Sequence, residues 1–290
     1  METARRSRYR QTMTAPVAHA GALLREWRIR RRLSQLDLAC EAGISTRHLS
    51  FIETGRSRPS REMILHLAQG LEVPLRERNE LLLAAGYAPV YTAKPLDDAA
   101  LAAARKAVNL VLNGHEPLPA LALDRHWNLI AANRAVAPLL GGAAPELLAP
   151  PVNVLRLSLH PDGLARRIVN LPEWRAHLLE RLRHQVEITA DASLAELLAE
   201  LCGYPGGGSG DSASGAVNSN SSFVVPLGLA TDAGTLNLFS TTTVFGTPLD
   251  VTVSEIAIES FFPADEETAT ALSRLAGIQR FQTPADAEES

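Results

Sequence analysis

Cysteine is nearly absent from this 290-residue chain: there are two, Cys40 and Cys202. Their separation gives neither a disulfide framework nor a metal-ligand spacing. A reducing cytoplasm is the expected compartment. No apolar run approaches the length of a membrane span, and the N-terminus has no hydrophobic signal core, so no membrane partner is expected. Aromatic residues make up only 5% of the chain, which leaves few rings to fill an interior. The usual catalytic patterns are missing too. There is no G-x-S-x-G elbow for a nucleophile. The run PGGGSG lacks the lysine and the following helix of a phosphate-cradling loop. His160, His177 and His184 do not share a metal-binding helix face. No catalytic residue, metal ligand or required cofactor is assigned, and the expectation is a protein that is not an enzyme.

The charge is present in quantity but unevenly spread. The whole chain carries a formal charge of −4. Residues 1–91 hold 15 Lys and Arg against 9 Asp and Glu; residues 92–290 hold 13 against 23. A basic head on an acidic body fits an N-terminal nucleic-acid binder followed by a separate domain. The length is sufficient for two cores.

The clearest local signal lies at 34–55, SQLDLACEAGISTRHLSFIETG. Ser34 can cap a first helix, on which Leu38, Ala39 and Ala42 form a small apolar face. Cys40 on this helix is expected to pack. Gly43 can take the left-handed conformation that ends a helix cheaply. Ile44 plugs the corner, Ser45 caps a second helix, and Leu49 and Ile52 point inward. Thr46, Arg47, Ser50 and Phe51 are left facing outward. A helix-turn-helix inserts such a face into the major groove.

Together with LLREWRIRRRLSQLDLA, the AGIS turn, LSFIETGRSRPS and MILHLAQGLEVP, this segment resembles the XRE (Cro/C1-type) helix-turn-helix regulators over about residues 20–86. The resemblance implies a lambda repressor-like all-α domain and a double-stranded DNA partner. It places Gln35 where the family bonds a phosphate and braces the recognition helix. Thr46 and Arg47 fall at the first reading positions, and a guanidinium suits the O6/N7 edge of guanine. Ser50 matches a phosphate contact, while Arg56, Arg58 and Arg61 follow where the family sets register on the backbone. Phe51 departs from the usual polar residue; it either packs on a thymine methyl or lies back on the protein. His48 faces the DNA backbone or solvent. Glu53 is expected to bond structurally, near the loop or to an arginine of the first helix. The run RIRRR at 28–32 cannot all face DNA from one helix. One recognition helix reads too few base pairs, so a homodimer is expected.

The remaining organisation follows from period and punctuation. Residues 1–17 form an expected disordered basic arm, or precede a true start at Met13. The helix-turn-helix domain spans 18–88, and 89–118 is a linker with a connecting helix. Strands are expected at 120–124 and 127–132, and helices at 133–140, 164–169, 172–186 and 194–202. The Gly/Ser-rich run 204–222 reads as a mobile loop. Three β-like runs follow at 223–229, 235–245 and 250–262, and Asp265 starts a last helix before an acidic tail at 278–290. Two strands, several helices and then three strands describe an α+β PAS-like domain over 119–277. It would have a five-stranded antiparallel sheet and helices on one face.

The segments WNLIAAN, NVLRLSLHPDGLARRIVNLPEWR and STTTVFGTPLDVTVSEIAIESFFPAD resemble the ligand-binding domain of MmyB-like transcription regulators over about residues 95–277. The resemblance implies a pocket for an apolar small-molecule effector, such as a long-chain fatty acid. An acyl chain gains about 0.8 kcal/mol per buried methylene. Arg156 and His160 are candidates for its carboxylate, or else pin helices to each other or to Asp162. Trp127 and Trp174 are candidate lining residues or core. Two other readings of the second domain stay open: a dimerisation module without a ligand, and a lipid or redox enzyme fused to a DNA-binding head.

Overall fold

Five helices build the N-terminal head, four of them opened by a side-chain cap. The computed structural model describes residues 19–96, 98–205, 225–246 and 250–276. The expected basic arm, nearly all of the expected Gly/Ser loop and the acidic tail lie outside those residues. The chain divides into two units, Met1–Tyr91 and Thr92–Ser290.

In the first unit, α1 (Ala20–Arg30) starts at His19, whose Nδ1 accepts from the Ala22 amide at 3.2 Å. Helix α2 (Gln35–Glu41) opens with a reciprocal box, in which the Asp37 amide donates to Ser34 Oγ and the Ser34 amide donates to Asp37. Gly43 ends it at φ +61°. Ser45 caps α3 (Thr46–Glu53), and Ser60 caps α4 (Arg61–Gly70). Helix α5 (Leu75–Ala84) begins after Pro74, which sits at the N-cap, and Gly86 turns the chain at φ +82°. Leu24, Leu38, Leu49, Ile52, Ile64, Leu67, Leu81 and Leu82 form the fully buried centre. Cys40 corrects the expectation of packing, because α2 turns it to solvent while Leu38 and Ala39 take the inner face.

The second unit is a five-stranded antiparallel sheet. Its strands are β1 (Ala120–Leu123), β2 (Leu129–Ala132), β3 (Leu227–Thr231), β4 (Gly234–Val244) and β5 (Ala257–Pro263). They lie in the order β2-β1-β5-β4-β3, so the first two strands pair and the last three form a meander beside them. This is the expected PAS-like arrangement of strands. Side chains alternate between faces along each strand. Leu123, Leu229, Leu236 and Leu238 share a core with α7 (Val154–Leu159), α8 (Leu171–Thr189) and α9 (Ala192–Cys202). Ala120, Ala122 and Ile258 share a separate core with Val108 and Leu112 of α6 (Ala102–Gly114). Helices therefore cover parts of both faces, not one as the sequence suggested.

Three other elements differ from expectation. The run 250–262 begins as a helical turn, α10 (Val251–Ser254), because the Asp250 carboxylate accepts from the Thr252 and Val253 amides. Strand β5 starts only afterwards. The expected helix at 133–140 shrinks to a tight turn at Ala137–Leu140 with Pro138 in its first positions. The one at 164–169 reduces to a turn at Ala165–Arg167, after which Ile168 bridges to Leu229. The neighbouring Val169 amide donates to Gly228 O, and Asn170 exchanges side-chain bonds with Pro226 O and the Gly228 amide. Asp265 caps the last helix, α11 (Glu266–Leu275), by accepting from the Thr268 amide at 2.7 Å.

Gly21 gives a test of the head. A Cβ built there would sit 1.9 Å from the Ile52 carbonyl oxygen, so α1 and α3 meet backbone to backbone. Gly21→Ala gains about 1 kcal/mol in helix propensity. Overpacking against a backbone atom costs about 1–3 kcal/mol or more. At 1.9 Å the clash dominates, and we expect a net loss of about 2 kcal/mol, measured as a shift in the denaturant midpoint of the full chain.

Candidate nucleic-acid interface and effector unit

The outward face of α3 is held by a buried charge network beneath it. Arg28 Nε and Nη2 donate to the two Glu53 carboxylate oxygens at 2.7 and 3.0 Å. Arg28 Nη1 also donates to Leu33 O at 2.8 Å. Gln35 Nε2 donates to Glu53 Oε2 at 2.8 Å. The Glu53 side chain is 1% exposed. One carboxylate at the end of α3 thereby ties together α1, the start of α2 and the recognition helix. Glu53 thus bonds an arginine of the first helix, and Gln35 braces α3 from below. Burial pushes the Glu53 carboxyl up, but the Arg28 and Gln35 bonds outweigh burial and hold it below its ordinary value.

Above this network Arg47 is exposed, with its guanidinium 5.3 Å from the centre of the Phe51 ring. Thr46, His48, Ser50 and Phe51 are half-buried along the same helix. Phe51 lies under Arg47, so an apolar ring and a flat cation form one contact patch. Arg56 and Arg61 are also exposed. Arg58 is drawn back: its Nη2 donates to Ala85 O at 2.8 Å, and its guanidinium stacks over Tyr87. It caps the C-terminal end of α5, where a cation is favoured. In the RIRRR run, Arg28 points inward and Arg31 donates to Leu71 O and Glu72 O at the end of α4. Helix geometry thus divides that run among structural tasks.

In the second unit the four expected ligand residues fall into two groups. Arg156, His160 and Trp174 lie around α7. Arg156 Nε and Nη2 grip the Glu200 carboxylate of α9 at 2.9 and 2.6 Å. The Tyr204 hydroxyl donates to Glu200 at 2.5 Å, and burial, with that carboxylate, pushes the phenol up to about 12. His160 packs edge-on to Tyr204, and its Nδ1 accepts from the Asp162 amide. Trp174 Nε1 donates to Ser158 Oγ at 3.0 Å. Trp127 stands apart, donating from Nε1 to Gln185 Oε1 at 2.7 Å. Gln185 lies eleven residues along α8 from Trp174, about 16 Å at 1.5 Å per residue. Trp127 belongs to the turn before β2, not to the strand, and holds φ +67°. Both indoles are buried in the core between sheet and helices.

Sequence reasoning passed over Arg181 and Glu259. Arg181 Nη1 donates to Glu259 Oε1 at 2.5 Å, and Nη2 donates to Thr242 Oγ1 at 3.2 Å. The guanidinium stands 4.8 Å from the centre of the Trp127 ring. A signal for Glu259 existed, since an acid interrupts the apolar run AIESFF. Its partner lies 78 residues earlier, beyond any local pattern. A cavity of about 360 Å³ opens elsewhere, lined by Glu116, Pro117, Arg134, Pro138, Leu272 and Leu275 among others, and includes none of the expected ligand residues. Among the described residues, no cluster could hold a metal ion and no helix is long and apolar enough to cross a membrane.

A helix-turn-helix head and a separate α+β unit with a helix-covered sheet define a two-domain regulator. A family model for a helix-turn-helix domain matches residues 19–81. The model of the MmyB-like transcription regulator ligand binding domain matches residues 104–275. The chain belongs to the MmyB-like transcription regulators. No curated protein matches it. Among solved structures, an RNA-binding light-oxygen-voltage receptor aligns at 13% identity and a TM-score of 0.23. That alignment covers 89% of this chain and 63% of the receptor, so the chain spans less than two thirds of the receptor's length.

The Glu53 network makes a pH prediction. A carboxyl lowered in the folded state contributes its stability in full above its unfolded value, and loses it as pH falls through the folded value. The head should therefore weaken in acid below the ordinary carboxylate value of 4.5. Glu53→Gln should cost about 3 kcal/mol at pH 7, because Arg28 keeps a buried, half-paired charge. It should also flatten the acid limb of a stability-against-pH curve measured by denaturant unfolding.

Proposed function

We propose that this protein is a homodimeric, sequence-specific DNA-binding regulator whose second domain senses an apolar small molecule of the long-chain fatty acid class. The observation that carries the DNA reading is the exposed Arg47–Phe51 patch on a capped helix, braced by the Arg28–Glu53–Gln35 network. The guanidinium suits a guanine edge, and the ring beside it suits a thymine methyl. Thr46 and Ser50 flank that contact, Arg56 reaches a phosphate, and Gln35 reaches one only with the amide N–H that its bond to Glu53 leaves over. Arg58 joins them only on leaving the Ala85 carbonyl. Two heads on one duplex would read half-sites about 34 Å apart.

The effector reading rests on family membership and on the Leu-rich layer between the sheet and α7, α8 and α9. Apolar layers of this kind bind apolar ligands through buried area. Trp127 and Trp174 form part of that layer. Arg156 and His160 are engaged with Glu200, Tyr204 and Asp162, so a carboxylate reaching them has to displace Glu200. An effector in this layer would alter the spacing or angle of two heads by favouring one arrangement over another.

Arg47→Ala should weaken operator binding by about 1–3 kcal/mol and relax the preference at one base pair. Arg56→Ala should weaken all sequences alike and reduce the salt slope by about one. Titration of an operator found by footprinting the protein's own upstream region, across salt concentrations, separates the two effects. Unchanged selectivity in Arg47→Ala would remove α3 as the reading helix. Native mass spectrometry of freshly purified protein should show a retained lipid mass on a dimer. A bare dimer would favour a plain dimerisation module, and turnover of an acyl substrate would favour the enzyme reading.

A further inference from the structure

The cavity of about 360 Å³ in the second unit lies where three segments meet: the connector from α6 to β1, the turn after β2 and the last turn of α11. Its volume falls within the range of small-molecule sites. Each wall is fixed from behind. His115 Nε2 lies 2.9 Å from Phe261 O, and the Phe261 amide donates to Pro119 O, so β5 holds the connector. The buried Asn133 side chain donates to Leu112 O and Leu118 O and accepts from the Ala120 amide. Asn133 thereby locks the turn that carries Arg134 onto the connector that carries Glu116. Leu272 is 2% exposed and belongs to the leucine core as well as to the cavity wall.

Among the described residues, the charged part of this wall is one pair of opposite sign. Arg134 Nη2 donates to Glu116 Oε2 at 2.9 Å, and the Arg134 amide donates to Glu116 Oε1 at 3.3 Å. The side chains are 91% and 23% exposed, the arginine being the outer one. An exposed ion pair contributes little to stability, so parting it for a ligand costs little. When the guanidinium swings away, the backbone amide of the same residue still holds the carboxylate. The Arg134 bonds keep the Glu116 carboxyl below its ordinary value, so it is charged at neutral pH. The rest of the wall is apolar, with Pro117, Pro138, Leu272 and Leu275 beside two alanines. Those side chains carry no hydrogen-bonding group, and they favour an apolar body over a polar one.

We propose that this cavity binds a free α-amino acid with an apolar side chain, its ammonium on Glu116, its carboxylate on Arg134 and its side chain against Pro117, Pro138 and Leu275. A ligand of single charge that enters the pair leaves one member without a partner. A zwitterion gives a new partner to both. The two charged groups of an α-amino acid share one carbon, which matches a carboxylate and a guanidinium standing side by side. A residue at a peptide end carries one of these groups and not both, so the class is the free amino acid. The site goes beyond the effector reading and does not rest on it, although Leu272 and Leu275 border both the cavity and the leucine core.

The test is calorimetric titration of the full-length protein with L-leucine, 4-methylpentanoate and 3-methylbutylamine. The second is leucine without its amine, and the third is leucine without its carboxylate. Wild type should bind L-leucine saturably and each fragment roughly 10- to 100-fold more weakly, the worth of a charge-assisted hydrogen bond. Arg134→Gln should cost L-leucine a similar factor and should not weaken 3-methylbutylamine, whose charged partner is Glu116. Because Arg134 is exposed, that variant should keep the wild-type denaturant midpoint, which separates loss of binding from loss of fold. Ala135→Phe, which fills the cavity and keeps both charges, should weaken all three compounds. Absence of saturable L-leucine binding to wild type overturns the proposal. So does equal affinity for L-leucine and 4-methylpentanoate, or unchanged L-leucine binding in Arg134→Gln.

Discussion

A single carboxylate, Glu53, sets the geometry of the head. It sits at the last residue of α3, out of water, and accepts hydrogen bonds from Arg28 on α1 and Gln35 on α2. Each partner arrives from a different helix, so the angle of α3 is fixed by directional bonds as well as by leucine packing. Apolar contacts alone would hold α3 against the core but tolerate rotation about its axis. Rotation by one residue would turn Arg47 away from its outward course. The close approach of α1 at Gly21 adds a second constraint, because only a residue without a Cβ lets the two backbones touch. Charge network and bare backbone contact together fix the outward face of α3, and a face fixed beforehand limits the ordering cost of any binding.

Much of this head could be read from sequence because its determinants are local. Ser34, Ser45 and Ser60 each cap the helix that follows within three residues, and Gly43 breaks the chain where a left-handed turn is needed. The sheet order was legible as well, since alternating runs and turn residues placed four strand regions correctly. The misreadings have separate causes. Residues 250–254 are rich in β-branched side chains, yet the Asp250 carboxylate captures two amides and starts a helix. Propensity lost to a side-chain cap. Residues 164–169 look helical until Gly228 and Asn170 offer the chain an edge to pair with.

The candidate sites were legible to different degrees for the same reason. The proposed DNA face is one helix, so spacing alone placed Thr46, Arg47, Ser50 and Phe51 together. The layer proposed for the effector joins elements far apart in the chain. Arg156 and His160 share a short segment and were visible, but their partners Glu200 and Tyr204 were not. Arg181 and Glu259 meet only when the last strand of the sheet inserts between the first and the fourth. Cys40 shows the converse, since a small residue among apolar neighbours read as core and lies on the outer side of α2.

The short stretch beside β3 bears on whether that edge can pair with another sheet. An outermost strand with open amides is a template for another sheet. Here Val169 and Asn170 already satisfy Gly228 and the Pro226 carbonyl, and a Cβ at position 228 would lie 2.5 Å from the Val169 side chain. The margin is sealed by the protein's own backbone. Continuous fibres growing outward through β3 are disfavoured from the start.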